Sequence, residues 1–379
     1  MRARRIIGLL LVLWNLPWML HLLGVDSTRP LKGHQSNPSF PQWNWSEFQN
    51  GHIQSQLQDG LRTGFPFRAD AVRLQHQKDW SLFGKQHVRN TVVGQDRYLF
   101  EHAYVEAARG IDPLNPAEIE RRARQLRNVV DSSGTPLLVV LAPGKGHFYR
   151  DFLPPCEGAA CGEEPNRGHR LWKQALEAEG IPVLDLHAAF DSLRQRSPHP
   201  LFPRTGIHWS QYSMVHVMPA LTEGVNALVP DSLASGQWAV QSLRTSSTPE
   251  GTDDDIEQAM NLLFDLPDFE MAYPSARWIR GASPPKVLLV GDSYAWTPVN
   301  AGLLRSGWQG EFWFYNQTVH GPSVPRKGMP VSERIPNGAL KFFGELDALV
   351  LLSTDANLSR FPFGFAGIGN RQPMDASPN

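Results

Sequence analysis

The sequence predicts an α/β protein with a mostly parallel sheet, on three observations. Short apolar runs at residues 137–142, 286–290 and 348–352 are each closed by a polar cluster. Apart from Lys286 they are apolar without alternation, as in strands buried on both faces. Helix-compatible stretches separate them, the pattern of strands joined by crossover helices. With 379 residues, 41% of them hydrophobic, the chain can bury an ordinary core without a metal or a disulfide framework. At roughly 150 residues per domain, two or three units are expected.

The elements follow in order. Arg2, Arg4 and Arg5 precede residues 6–25, a run broken only by Asn15, Pro17 and His21. As a helix it is long enough for ~30 Å of hydrocarbon, and basic residues before a span mark the cytoplasmic end. An uncleaved single-pass anchor over 1–26 is therefore expected, with the remainder outside the inner membrane, in the periplasm or beyond the cell. A cleaved signal is the alternative, although Gly24, Val25, Asp26 and Ser27 offer no small-x-small cleavage pattern. In an oxidising compartment Cys156 and Cys161 are expected to pair. So short a closure gains little chain entropy, and its role would be to shape a loop. No further ligands stand nearby at zinc-like spacing, and neither a metal nor another cofactor is expected.

Residues 27–110 read as a linker and a helical preface, with helices over 48–61 and 68–83 and a strand-like piece at 92–100. The α/β domain is expected over 111–368. It would hold a helix at 116–131, strand 137–142, helix 167–179, strand 182–186 and helix 211–225, then strands 286–290, 311–315 and 348–352. An excursion at 230–281 interrupts the alternation. It contains Asp253, Asp254 and Asp255, which lack the spacing of a calcium loop and read as a solvated acidic helix start. Residues 369–379 are expected to fray. A balance of 36 basic against 37 acidic residues argues against a protein that coats nucleic acid.

In parallel sheets ligands bind beyond the carboxyl ends of the strands. There stands Gly291-Asp292-Ser293-Tyr294. A strand that turns through Asp-Ser into a helix presents the serine hydroxyl, and the amides of Ser293 and Tyr294 can face a carbonyl oxygen becoming an alkoxide. The last position of a Gly-x-Ser-x-Gly elbow is Ala295, so this is not that motif. His208, followed by Trp209, lies in a loop entering a helix, and histidine is the usual base for a serine hydroxyl.

The order of these motifs, His208-Trp209 early and Gly291-Asp292-Ser293-Tyr294 late, resembles the SGNH-hydrolase-like domain of alginate O-acetyltransferases of the AlgJ/AlgX type. Weaker similarity extends to residues 97–101, 142–145 and 351–365. The resemblance implies a three-layer sandwich that transfers acetyl groups onto hydroxyls of an exported polysaccharide. Ser293 would carry the acyl group, His208 would move the proton, and a membrane-bound O-acyltransferase would supply acetyl.

One position departs from the pattern. Where the family has an Asp two residues before the His, this chain has Gly206, which cannot orient an imidazole. Asp185 and Asp355, each at the end of a predicted strand, are the candidate replacements. Asn357 falls where SGNH esterases keep an oxyanion donor. Lys145 and Arg204 are candidates for contact with an anionic sugar, and Trp209, Tyr294 and Trp296, at the two motifs, for contact with substrate. Two other readings stand beside acyl transfer: an esterase of the same glycan with the same Ser-His chemistry, and a non-catalytic glycan-binding subunit of an export complex, which Gly206 favours.

Overall fold

The computed structural model describes residues 2–25, 29–33, 41–111, 113–162, 164–281, 283–322, 324–335, 339–365 and 367. The tail expected to fray lies outside them. The chain forms two compact units, one of Met1–Arg89 with Ile256–Pro267, the other of Asn90–Asp255 with Asp268–Asn379. The α/β unit thus begins about twenty residues before the expected boundary and includes part of the preface.

The smaller unit is helical. Its first helix spans Arg2–Leu22 with Pro17 inside it. Among the described residues no helix is long and apolar enough to cross a membrane, so the expected anchor is not shown. The helix predicted over 48–61 is instead two, Trp45–Gln49 and His52–Thr63. The break falls at Gly51, whose φ of 79° is the left-handed conformation that glycine tolerates. Helix Arg68–Phe83 packs against the returning segment, with His76 Nδ1 2.7 Å from the Met260 carbonyl and the Phe264 amide donating to Gln77.

Among the described residues the larger unit contains eleven strands: β1 (Thr91–Val93), β2 (Leu99–Glu101), β3 (Leu137–Ala142), β4 (Val183–Asp185), β5 (Gln237–Ser246), β6 (Met271–Ile279), β7 (Lys286–Gly291), β8 (Gln309–Phe314), β9 (Thr318–His320), β10 (Met329–Pro330) and β11 (Ala348–Thr354). Seven form the central sheet in the order β10-β9-β8-β7-β11-β3-β4. The pairs from β8 through β4 are parallel, and β9 and β10 add an antiparallel edge. The central strands divide their side chains between two cores. Leu138, Val140, Leu289 and Val350 face a layer that includes helix Met214–Asn226, while Leu137, Val139, Leu288 and Leu349 face one that includes helices Pro116–Ser133 and Arg167–Ala178. Burial on both faces explains the unbroken apolar runs, and the three layers are those of an SGNH-like sandwich.

The excursion is a two-stranded antiparallel ribbon, β5 on β6, with a bulge between Val240 and Ser242. Cys156 and Cys161 form a disulfide at a Cα separation of 5.2 Å.

One buried side chain ties the pieces around the sheet's carboxyl end. Lys145, just after β3, is 1% exposed and donates from Nζ to the carbonyls of Leu99 at 2.6 Å, Arg204 at 2.7 Å and Gly206 at 2.7 Å. Its ammonium lies 5.3 Å from the centre of the Phe100 ring. Burial pushes its pKa down to about 7. Lys145→Met would leave three carbonyls without their donor. Urea unfolding of this variant is expected to show a loss on the order of 3 kcal/mol; a loss well under ~1 kcal/mol would show that water replaces the ammonium freely.

Candidate functional site

The two sequence motifs meet at the carboxyl end of the sheet. Ser293 follows β7 and is half-buried. His208 shares a cleft of about 510 Å³ with it. The motifs hold each other by reciprocal bonds: Trp209 Nε1 donates to the Tyr294 carbonyl at 3.1 Å, and the Tyr294 hydroxyl donates to the Ile207 carbonyl at 2.8 Å. Both aromatic side chains are fully buried. Trp209 and Tyr294 are therefore the packing that registers histidine against serine, and their rings do not reach a substrate. Trp296, by contrast, lines the cleft.

The carboxylate on His208 is Asp255. Its Oδ2 lies 2.7 Å from Nδ1, and its Oδ1 accepts the Ile207 amide at 2.8 Å. With the Nδ1 hydrogen donated to Asp255, Nε2 carries the lone pair, and this buried atom has no hydrogen-bond partner among the described residues. Asp255 is the third residue of the acidic run that reads as a solvated helix start. In the structure that run lies against the histidine loop, and Asp253 is fully buried, its carboxyl pushed up by burial to about 7.

Gly206 explains the arrangement. A Cβ there would stand 2.6 Å from the Asp253 carbonyl and 2.7 Å from that of Thr252. Only glycine lets the acidic segment approach closely enough for Asp255 to reach His208. The residue that removes the family's acid thus makes room for one that arrives 47 residues later.

Neither carboxylate expected from the sequence is on His208. Asp185 caps helix Leu186–Leu193 through the His187 amide and contacts His169 at 3.1 Å and Lys173 at 2.8 Å. Asp355 accepts the Gly144 amide at 2.7 Å and lies 2.6 Å from His187 Nε2. Burial works against a charge on His187, but Asp355 and Asp185 outweigh it and hold its pKa up at about 9. Asp355 is held down to about 2, the attraction of His187 overcoming its own burial.

The other candidates are engaged elsewhere. Asn357 donates to Asp292 Oδ2 at 2.9 Å and to Thr354 Oγ1 at 3.2 Å. Its amide is thus spent on Asp292, the residue before Ser293, and is not free for the expected role of oxyanion donor. Asp292 also accepts from the Thr354 amide and hydroxyl and from the Tyr294 amide, which takes Tyr294 out of the expected pair of oxyanion donors. Burial pushes the Asp292 carboxyl up, against these four bonds. Arg204 stacks on the Tyr98 ring at 5.2 Å and donates to the Asp96 carbonyl. Lys145 is buried under its three carbonyls, out of reach of a sugar.

A strand-end serine and a carboxylate-backed histidine on this sandwich define an SGNH-hydrolase-like domain. Residues 91–337 match the family described as ALGX, the SGNH hydrolase-like domain of acetyltransferase AlgX, and the chain belongs to that family. Among solved structures, the O-acetyltransferase domain of Pseudomonas putida AlgJ is similar at 18% identity and a TM-score of 0.51, over 74% of this chain and 99% of that one. Pseudomonas aeruginosa AlgX is similar at 18% identity and a TM-score of 0.47, over 73% of this chain and 67% of that one. At such identities the likeness concerns the fold. No curated protein matches the sequence significantly.

Two tests follow from this geometry. Asp255→Asn should lower kcat by roughly 10³–10⁴-fold with little change in KM, and Gly206→Ala, which displaces the acidic segment, should lower it by about 10²-fold or more. Asp185→Asn should stay within about tenfold of the parent; steady-state ester hydrolysis distinguishes these, and full activity in Asp255→Asn would remove that residue from the site. For His187, the folded pKa lies above the unfolded value of ~6.5. The stability it contributes is therefore complete below that pH and lost as pH rises through about 9. Histidine NMR should show this ring titrating near 9 in the folded protein, and lower in Asp185→Asn.

Proposed function

We propose that this protein is an O-acetyltransferase that works through an acyl-Ser293 intermediate and delivers acetyl to hydroxyls of an exported polysaccharide. The observation that carries the reading is the pairing of Asp255 with His208 Nδ1, with Nε2 unpartnered among the described residues and His208 lining the same cleft as Ser293. Ser293 Oγ attacks the acetyl carbonyl of the donor as Nε2 takes its proton, and the tetrahedral intermediate collapses as the leaving group receives that proton. The acceptor hydroxyl then attacks the acyl-serine while giving its proton to Nε2, and Ser293 leaves as the neutral hydroxyl. Asp255 keeps the ring in the required tautomer and steadies the imidazolium. The Ser293 amide is the donor assigned to the oxyanion, since Asp292 accepts that of Tyr294.

Membership in a family of acetyltransferases favours transfer over simple hydrolysis, and the relatives named above include an O-acetyltransferase domain of AlgJ. The non-catalytic reading loses its motive, because Asp255 supplies the carboxylate that Gly206 takes away. A polysaccharide acceptor outside the cytoplasm, a membrane-bound O-acyltransferase as donor, and attachment of residues 1–26 to the inner membrane belong to the same proposal. The location rests on Arg2, Arg4, Arg5 and the apolar run that follows them.

The purified full-length protein is expected to hydrolyse p-nitrophenyl acetate slowly, and Ser293→Ala and His208→Ala are each expected to reduce this by roughly 10³-fold or more. Mass spectrometry of Ser293 after a short reaction should find a bound acetyl group. Unchanged hydrolysis in Ser293→Ala would overturn the mechanism.

A further inference from the structure

Asp185 and His187 flank Leu186, the first residue of helix Leu186–Leu193, and His169 of helix Arg167–Ala178 meets them there. Asp185 Oδ1 lies 3.1 Å from His169 Nε2 and 3.6 Å from His187 Nδ1, and the three atoms all fall within 4.8 Å of one another. Zinc bonds of ~2.0–2.1 Å set tetrahedral ligand atoms about 3.3 Å apart. The cluster is therefore close to the spacing of a three-ligand site whose fourth position goes to water.

Two further observations point to a ligand at this cluster. His187 is 3% exposed, and its Nδ1 is buried with no hydrogen-bond partner among the described residues. A buried ring nitrogen without a partner is costly, and a cation would satisfy it. The other ring nitrogen, Nε2, donates to Asp355 Oδ1 at 2.6 Å, and Asp355 is itself buried and bound by the Gly144 amide. That carboxylate holds a proton on Nε2 and orients the ring, which directs the lone pair of the neutral imidazole to Nδ1, the arrangement of carboxylate-histidine-zinc triads. Lys173 Nζ binds Asp185 Oδ2 at 2.8 Å and leaves Oδ1 to the histidines. Two imidazoles and one carboxylate suit zinc better than calcium or magnesium, which take oxygen ligands. His169 precedes Asp185 by 16 residues, a separation that matches no zinc motif, and so the sequence raises no expectation of a metal.

We propose that His169 Nε2, Asp185 Oδ1 and His187 Nδ1 form a binding site for a zinc ion. The ion takes the place of the proton that Nδ1 holds in the metal-free protein. Through His187 and Asp355 it braces the turn after β11, whose Asn357 holds Asp292. The proposal stands independently of the acyl-transfer reading.

The test titrates zinc chloride into EDTA-dialysed full-length protein by isothermal calorimetry, with thermal unfolding in parallel. One zinc per chain is expected, with a Kd of about 1 μM or tighter. Zinc at about a hundredfold excess over Kd should raise Tm by roughly 5 °C or more. His169→Gln and His187→Gln should each weaken binding by about 10²-fold or more and abolish the rise in Tm. His169 is the more exposed of the two, so His169→Gln keeps the test decisive where His187→Gln fails to fold. His208→Ala is expected to bind zinc as the parent does. Absence of binding by the parent, or parental affinity in His169→Gln, would overturn the proposal, and loss of binding in His208→Ala would overturn it by placing the ion at the cleft.

Discussion

The site depends on the reciprocal bonding of Trp209 and Tyr294. A serine at a strand end and a histidine on a distant loop are useful only at a fixed separation, and a displacement of about 1 Å can cost 10²-fold in rate. Two buried aromatic side chains, each donating to the main chain of the other's motif, set that separation. Lys145 supports the same loop from beneath through the carbonyls of Arg204 and Gly206. Thr354, the last residue of β11, and Asn357, in the turn just after it, hold Asp292. The parts that touch reactants are few, and much of the surrounding polar network serves to keep them still.

Gly206 and Asp255 show how a local loss can be met by a distant gain. A carboxylate two residues before the histidine would belong to the same loop and need no partner segment. Moving it to the ribbon's connecting segment requires that segment to lie flat against the histidine loop, which a side chain at 206 would forbid. The missing acid and the small residue in its place are thus one feature.

What the sequence reveals follows from how locally each property is encoded. Strands β3, β7 and β11 are legible because burial on both faces demands continuous apolar runs. Ser293 and His208 are legible because a turn after a strand and a histidine before a helix leave short motifs. The ribbon is not: β5 is largely exposed, shows no clean alternation, and pairs through Pro274. Asp255 is hidden for a related reason, since an acidic run before a helix has an ordinary explanation in the helix dipole. Lys145 and Trp209 mislead in the opposite sense. Their residue types suggest contact with sugar, and only the packing shows that both are enclosed.

The place of β11 carries a consequence for how the domain is made. Among the described residues it is the last strand of the sheet in the sequence, yet it lies in the sheet's interior, between β7 and β3, which it joins. Until it inserts, the sheet is two separate fragments, and Asp292 lacks Thr354 and Asn357. Contacts this remote in sequence form late, after their loop-closure entropy has been met. A nascent chain that has already made Ser293 and His208 therefore lacks the contacts that hold Asp292 beside them until the sheet closes around β11.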